Sequence, residues 1–97
     1  MRIRLKSFFH YDFSRVFGND SVEIPANGAT LRALLETLGK ESEGAVNAID
    51  QYGGGLHIDY FVLLNGRDIE IFPRGIETAL HDGDEVAIGT NYHWGGG

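Results

Sequence analysis

Leu31, Leu34, Leu35 and Leu38 fall at i, i+3, i+4 and i+7. Apolar positions at that spacing line one face of a helix. Thr30 stands where an N-cap belongs and Gly39 where a C′ glycine would end the helix. One amphipathic helix cannot build a core alone; it must lay its stripe on another element. A chain of this length holds one domain with a single modest core. The stripe therefore constrains the fold strongly: one main helix packed on a sheet supplied by the rest of the chain.

The flanking segments carry strand patterns. Arg2-Ile3-Arg4-Leu5-Lys6-Ser7-Phe8-Phe9 alternates polar and apolar, which predicts a first strand with one wet face. His10 to Asp20 reads as a long connection, with Phe13, Val16 and Phe17 as anchors. Ser21-Val22-Glu23-Ile24 alternates again and stops at Pro25, giving a second strand that pairs with the first. Asn27-Gly28-Ala29 is a turn. After the helix, Ser42 to Tyr52 suggests a second, shorter helix with Val46 and Ile49 inward, ended by the flexible connector Gly53-Gly54-Gly55.

Tyr60-Phe61-Val62-Leu63-Leu64 is continuously apolar and β-prone, which predicts a strand buried on both faces. Asn65-Gly66 is a hairpin signal, and Arg67 to Phe72 is expected to return as a short strand ending at Pro73. Gly75 to Leu80 reads as irregular or a single helical turn. His81-Asp82-Gly83-Asp84 is a tight turn, and Glu85 to Gly89 is the last strand. The order strand, strand, helix, strand, strand, strand is that of an α+β, β-grasp (ubiquitin-like) mixed sheet. One main helix packs on one face. The last strand runs through the sheet centre beside the first and releases a free C-terminal Gly tail. Residues 1–90 form the domain and residues 91–97 the tail.

That tail closes on Gly95-Gly96-Gly97. Glycines pack poorly and are costly to order, but they can thread a narrow channel and take whatever backbone angles it imposes. The reacting atom would then be the Gly97 carboxyl carbon. From Gly89 an extended tail reaches roughly 26 Å at about 3.3 Å per residue. Tyr92 and Trp94 either anchor the tail at a partner's pocket mouth or fold back over the sheet. The tail alone is equally compatible with an incidental end.

Composition narrows the chemistry. The chain has no cysteine, which removes disulfides, thiolate metal sites and a cysteine nucleophile. Sulfur chemistry, if any, cannot use a thiol of its own. The net charge of −6 disfavours nucleic acid as a partner and suggests a basic protein surface. No apolar run approaches the roughly 20 residues of a membrane span. The basic, alternating start does not resemble a signal peptide, so a cytoplasmic chain is expected.

Leu64-Asn65-Gly66-Arg67-Asp68-Ile69, then Thr78-Ala79-Leu80-His81-Asp82-Gly83-Asp84-Glu85-Val86-Ala87-Ile88, then a glycine terminus, resemble the MoaD/ThiS family of sulfur carriers. Thr30 to Leu35 also sits where that family's first helix begins. The resemblance covers nearly the whole chain, and its specificity lies in the ordered combination. It implies a cycle in which an E1-like enzyme, using ATP and Mg, adenylates Gly97. A sulfur donor enzyme then converts it to a thiocarboxylate, threaded in place by Gly95 and Gly96. The carrier binds no cofactor of its own and is a protein cosubstrate or the non-catalytic small subunit of a larger synthase. The long, glycine-rich segment from Lys40 to His57 favours the molybdopterin/tungstopterin type, with the thiamine type as the other branch. A departure from the family is the run Tyr92-His93-Trp94 before three glycines instead of two.

Two other functions fit the same features: a ubiquitin-like modifier conjugated to lysines, and a non-catalytic interaction module. Asp82, Asp84 and Glu85 lack the EF-hand spacing and read as a solvated turn. His10, His57, His81 and His93 show no metal-ligand spacing. Gly53-Gly54-Gly55 lacks the lysine of a phosphate loop. Glu36, Lys40, Glu41 and Glu43 form the wet side of the helix and its end.

Overall fold

The computed structural model describes residues 1–7, 20–26, 29–44, 47–50 and 52–90. Its elements are β1 (Arg2–Ser7), β2 (Ser21–Glu23), α1 (Leu31–Glu41), β3 (Tyr60–Leu64), β4 (Arg67–Asp68) and β5 (Glu85–Thr90). Short 3-10 turns span Ile69–Ile71 and Gly75–Glu77. The five strands lie in the order β2-β1-β5-β3-β4. β5 is central, parallel to β1 and antiparallel to β3. β1 and β2 pair antiparallel, with Ile3 opposite Val22. This is the β-grasp arrangement expected from the element order.

Alternation decides which face of the sheet takes the helix. Ile3 and Leu5 of β1, Val62 and Leu64 of β3, and Val86 and Ile88 of β5 are buried in the core. Against them lie Leu31, Leu34, Leu35 and Leu38, none more than 1% exposed. Each such leucine contributes about 1.5–3 kcal/mol by leaving water. α1 starts as expected: the Thr30 hydroxyl accepts the Ala33 amide at 3.2 Å. The Arg32 guanidinium pairs with Glu77, tying the helix to the second 3-10 turn. Leu31 N–H donates to Thr78 O and Leu80 N–H to Ala29 O, so the segment 78–80 runs back along the helix entry.

Five local expectations are corrected. Gly39 does not end the helix, which continues to Glu41 with Ser42 as C-cap. Gly44 N–H donates to Gly39 O at 2.8 Å and Glu43 N–H to Lys40 O at 3.1 Å, the paired bonds of a Schellman stop. The left-handed position in that stop is held by Glu43, at φ 55°.

Ser42 to Tyr52 is not a second helix among its described residues. Asn47 to Asp50 forms no helical turn, and Ile49 bridges antiparallel to Leu56. The turn Gly53-Gly54-Gly55 closes this small hairpin rather than serving as a loose connector: Asp50 N–H donates to Gly55 O and Gly54 N–H to Asp50 O, each at 2.8 Å. Ala48 is buried and Ile49 packs against the core. Val46, like Asn27, Gly28 and the anchors Phe13, Val16 and Phe17, lies outside the described residues.

β3 is not buried on both faces. Val62 and Leu64 are buried and Tyr60 packs against the core on the same face, while Phe61 and Leu63 are half-buried, because no layer of the described structure covers the second face as α1 covers the first. The expected strand from Arg67 to Phe72 ends at Asp68. The Asp68 carboxylate accepts the Glu70 amide at 2.9 Å and starts the turn Ile69–Ile71, whose Ile69 is buried.

Candidate functional site

The expected site residues Tyr92, Trp94, Gly95, Gly96 and Gly97 lie outside the described residues. The structure does describe the place from which the tail departs. Because β5 is parallel to β1 and antiparallel to β3, it leaves the sheet where β1 ends and β3 begins. Thr90 is the Cα partner of Tyr60, and Gly89 of Phe61. A centre strand flanked on both sides is firmly held, so it gives the residues beyond it a fixed root.

Around that root the sequence folds a supporting wall. The Tyr60 hydroxyl accepts the Asn47 amide at 3.3 Å, joining the start of β3 to the Ile49–Leu56 hairpin. His57 N–H donates to Ala48 O at 2.7 Å, and the His57 ring stands edge-on to Tyr60 with centroids 6.1 Å apart. Asp59 N–H donates to His57 Nδ1 at 3.1 Å. Ile58 is 84% exposed and Tyr52, at the hairpin tip, is 99% exposed. Tyr52 is held there by its own backbone: its amide donates to Asp50 Oδ1 at 3.0 Å.

The second face of the sheet continues from the same root. Phe61 and Leu63 lie beside Gly89 and Ala87, their register partners, both buried. Across β5, Arg4 and Lys6 of β1 occupy the adjoining outer positions as exposed cations. The face carries both signs of charge beside the apolar strip: Arg4 stands next to Glu85, its register partner, and Arg2 pairs with Glu23 at 3.2 Å, so the net charge of −6 does not set the sign of a partner here.

At the opposite end of the sheet the acidic turn is a structural joint. Asp84 is not solvated: its side chain is 15% exposed and accepts the His81 amide at 2.8 Å and Asn65 Nδ2 at 3.0 Å. Asn65 Oδ1 accepts the Glu85 amide at 2.9 Å. Asp82 Oδ1 accepts the Arg2 amide at 2.8 Å. These carboxylates are already committed to backbone donors. No group of three or more His, Cys, Asp or Glu able to hold a metal occurs among the described residues. The Asn65 clamp went unforeseen; its signal was a hairpin Asn-Gly followed, two turns later, by Asp-Gly-Asp.

No helix among the described residues is long and apolar enough to cross a membrane. Comparison with known proteins agrees with this architecture. The sequence model of the ThiS family matches residues 11–88. No protein of curated function matches the chain in sequence. Among solved structures, the HVO 2177 protein of Haloferax volcanii is 29% identical with a TM-score of 0.72, covering 98% of this chain and 87% of its own. A putative molybdopterin converting factor subunit 1 from Pyrococcus furiosus is 26% identical with a TM-score of 0.64, covering 94% and 98%. The small archaeal modifier protein 1 of Haloferax volcanii is 25% identical with a TM-score of 0.61, covering 91% and 94%. With its match extending over residues 11–88 and its β-grasp sheet, the chain belongs to the ThiS family of small β-grasp sulfur carriers.

Proposed function

We propose that this chain is a sulfur carrier whose reacting group is the Gly97 carboxylate. An E1-like enzyme adenylates it with ATP and Mg, and sulfur from a donor enzyme then displaces AMP to leave a thiocarboxylate. The observation that carries this reading is the position of β5, which as the centre strand holds the root of a glycine-ended tail at one end of the sheet. A carboxylate is a poor electrophile, and the mixed anhydride with AMP makes it a good one. The chemistry and the nucleotide site belong to the partner, and the carrier contributes position.

The side chains near the root suit recognition better than catalysis. Ile58, Tyr52 and the Phe61–Leu63 strip offer apolar contact area, and Arg4 and Lys6 offer charge. Small carriers of this family act as non-catalytic protein substrates or subunits. Likeness to a molybdopterin converting factor subunit favours delivery to a pterin cofactor, molybdopterin or tungstopterin, over the thiamine route. A second reading, conjugation of the Gly97 acyl group to lysines, is favoured by likeness to a small archaeal modifier protein.

The test is intact mass after incubation with an E1-like activating enzyme, ATP and a sulfur donor. Exchange of one oxygen for one sulfur, localised to Gly97, is the expected result. A folded chain that stays unmodified with every such enzyme would overturn the carrier reading in favour of an interaction module.

A further inference from the structure

We infer that Lys40 is an acceptor site on this chain for the activated C-terminus of a second copy, through an isopeptide bond from Gly97 to Lys40 Nζ. The inference rests on the proposed activation of Gly97, and on its acyl-transfer form in particular. It starts from an inventory of amines. The sequence has two lysines, Lys6 and Lys40. The Met1 α-amine is already engaged: it donates to Ile24 O at 2.7 Å and lies 3.5 Å from Glu23 Oε2. Lys6 stands on the flat outer face of β1 and already has an interaction partner.

Lys40 differs in setting. It is exposed in the last turn of α1, and no ion pair to it occurs among the described residues, although Glu36 lies one turn before it. It borders a hollow of about 410 Å³ between the end of α1 and the segment 47–49, lined by Glu36 as well as Leu35, Gly39, Gly44, Asn47 and Ile49. Two of those walls are glycine, so the hollow accepts a backbone better than it accepts large side chains. The occupant is identified by what lies beyond β5: seven residues, 91–97, ending in three glycines. Extended at about 3.3 Å per residue they reach roughly 23 Å, ample to enter the hollow from another molecule.

The step balances without further reagents. The neutral amine of Lys40 attacks the Gly97 carbonyl carbon of the acyl adenylate. A C–N bond forms, the C–O bond to phosphate breaks, AMP leaves with the electron pair, and one proton passes from nitrogen to water. ATP and Mg for the adenylate come from the activating enzyme.

The experiment incubates the full chain with an E1-like enzyme, ATP and Mg, without a sulfur donor. Pyrophosphate release and intact mass are read together. The expected product is a species of two chains less one water, whose tryptic map joins the peptide spanning Lys40 to the branch ending at Gly97. Lys40→Arg is expected to lower it by about tenfold or more while pyrophosphate release stays within about twofold. Gly39→Gln, which narrows the hollow but keeps the lysine, is expected to lower it several-fold. Adenylate formed with no Lys40 linkage, or with linkage at Lys6, overturns the inference and leaves the carrier reading standing. Absence of pyrophosphate release overturns the carrier reading, and the acceptor with it.

Discussion

Where β5 begins, the polar groups are used up on one another. Arg2, Asn65, Asp82, Asp84 and Glu85 exchange side-chain and backbone hydrogen bonds across three separate segments of chain. Where β5 leaves, the bonds of Tyr60, His57 and Asn47 hold a wall in place and present Ile58 and Tyr52 to solvent. The same central strand therefore has one end that serves stability and one that serves contact. Asp82 and Asp84 at the first end read as a solvated turn in the sequence, yet their carboxylates accept N–H groups of the surrounding chain. The function of the second end depends on what it exposes and on the residues that follow it. A site whose chemistry resides in a chain terminus needs rigidity at the root and openness around it, and the two ends divide those requirements.

This division is broken most directly by a pair of substitutions with opposite effects. Gly96→Trp is expected to reduce adenylation by about 100-fold or more, because a channel that admits glycine cannot take an indole. Its thermal midpoint should match the parent within error. Normal adenylation of this variant would remove the threading argument. Asn65→Ala should do the reverse. It removes the Asp84 and Glu85 bonds, and it puts alanine at φ 52°, where asparagine is tolerated far better. A loss of about 2–3 kcal/mol in denaturant unfolding is expected, with adenylation of the folded fraction unchanged. If Asn65→Ala instead impaired adenylation of a fully folded chain, the turn end would belong to the partner interface.

The contrast also explains which parts of the molecule were legible in sequence. The leucine stripe, the Thr30 cap, the alternating β1 and the Asn65-Gly66 turn each carry a local physical signature, and together they dictate the strand order. What failed was sidedness and extent. Tyr60 to Leu64 is apolar throughout because one face meets α1 and the other is an apolar outer strip, and composition does not tell a covered face from an open one. Gly39 looked like a helix stop, but Gly44, five residues on, supplies the closing amide, and either glycine fits the pattern. Val46 and Ile49 are spaced i, i+3, which two residues satisfy by chance. The Asp50 side chain accepting the Tyr52 amide was the readable sign of a turn there. Of the candidate site, the tail was legible as a run of glycines. Its root was legible as a centre strand that releases the tail, but not the partners beside it, Tyr60 and Phe61, which come from a register between distant strands.

Two smaller effects sharpen the comparison. Glu43 holds a left-handed conformation at φ 55° in the stop after α1, with its side chain exposed. Glu43→Gly should raise stability by about 1 kcal/mol, since the left-handed region costs a side-chain-bearing residue roughly that much. Calorimetry of the purified chain reads this directly, and a destabilised variant would show that the glutamate makes a contact worth more than its strain.

Tyr60→Phe is the mildest probe and addresses the tail end alone. It deletes the hydroxyl that accepts the Asn47 amide at 3.3 Å and leaves the ring packed against the core beside His57. Asn47 is exposed, so water can replace the lost acceptor, and the cost should stay at or below about 1 kcal/mol. The more telling readout is amide exchange. If the hydroxyl fixes the wall to the tail root, exchange at Asn47 should accelerate while Asn65 and Glu85 at the far end keep their protection. Uniform acceleration across both ends would mean that the sheet opens as one unit and that its two ends are not separable in energy.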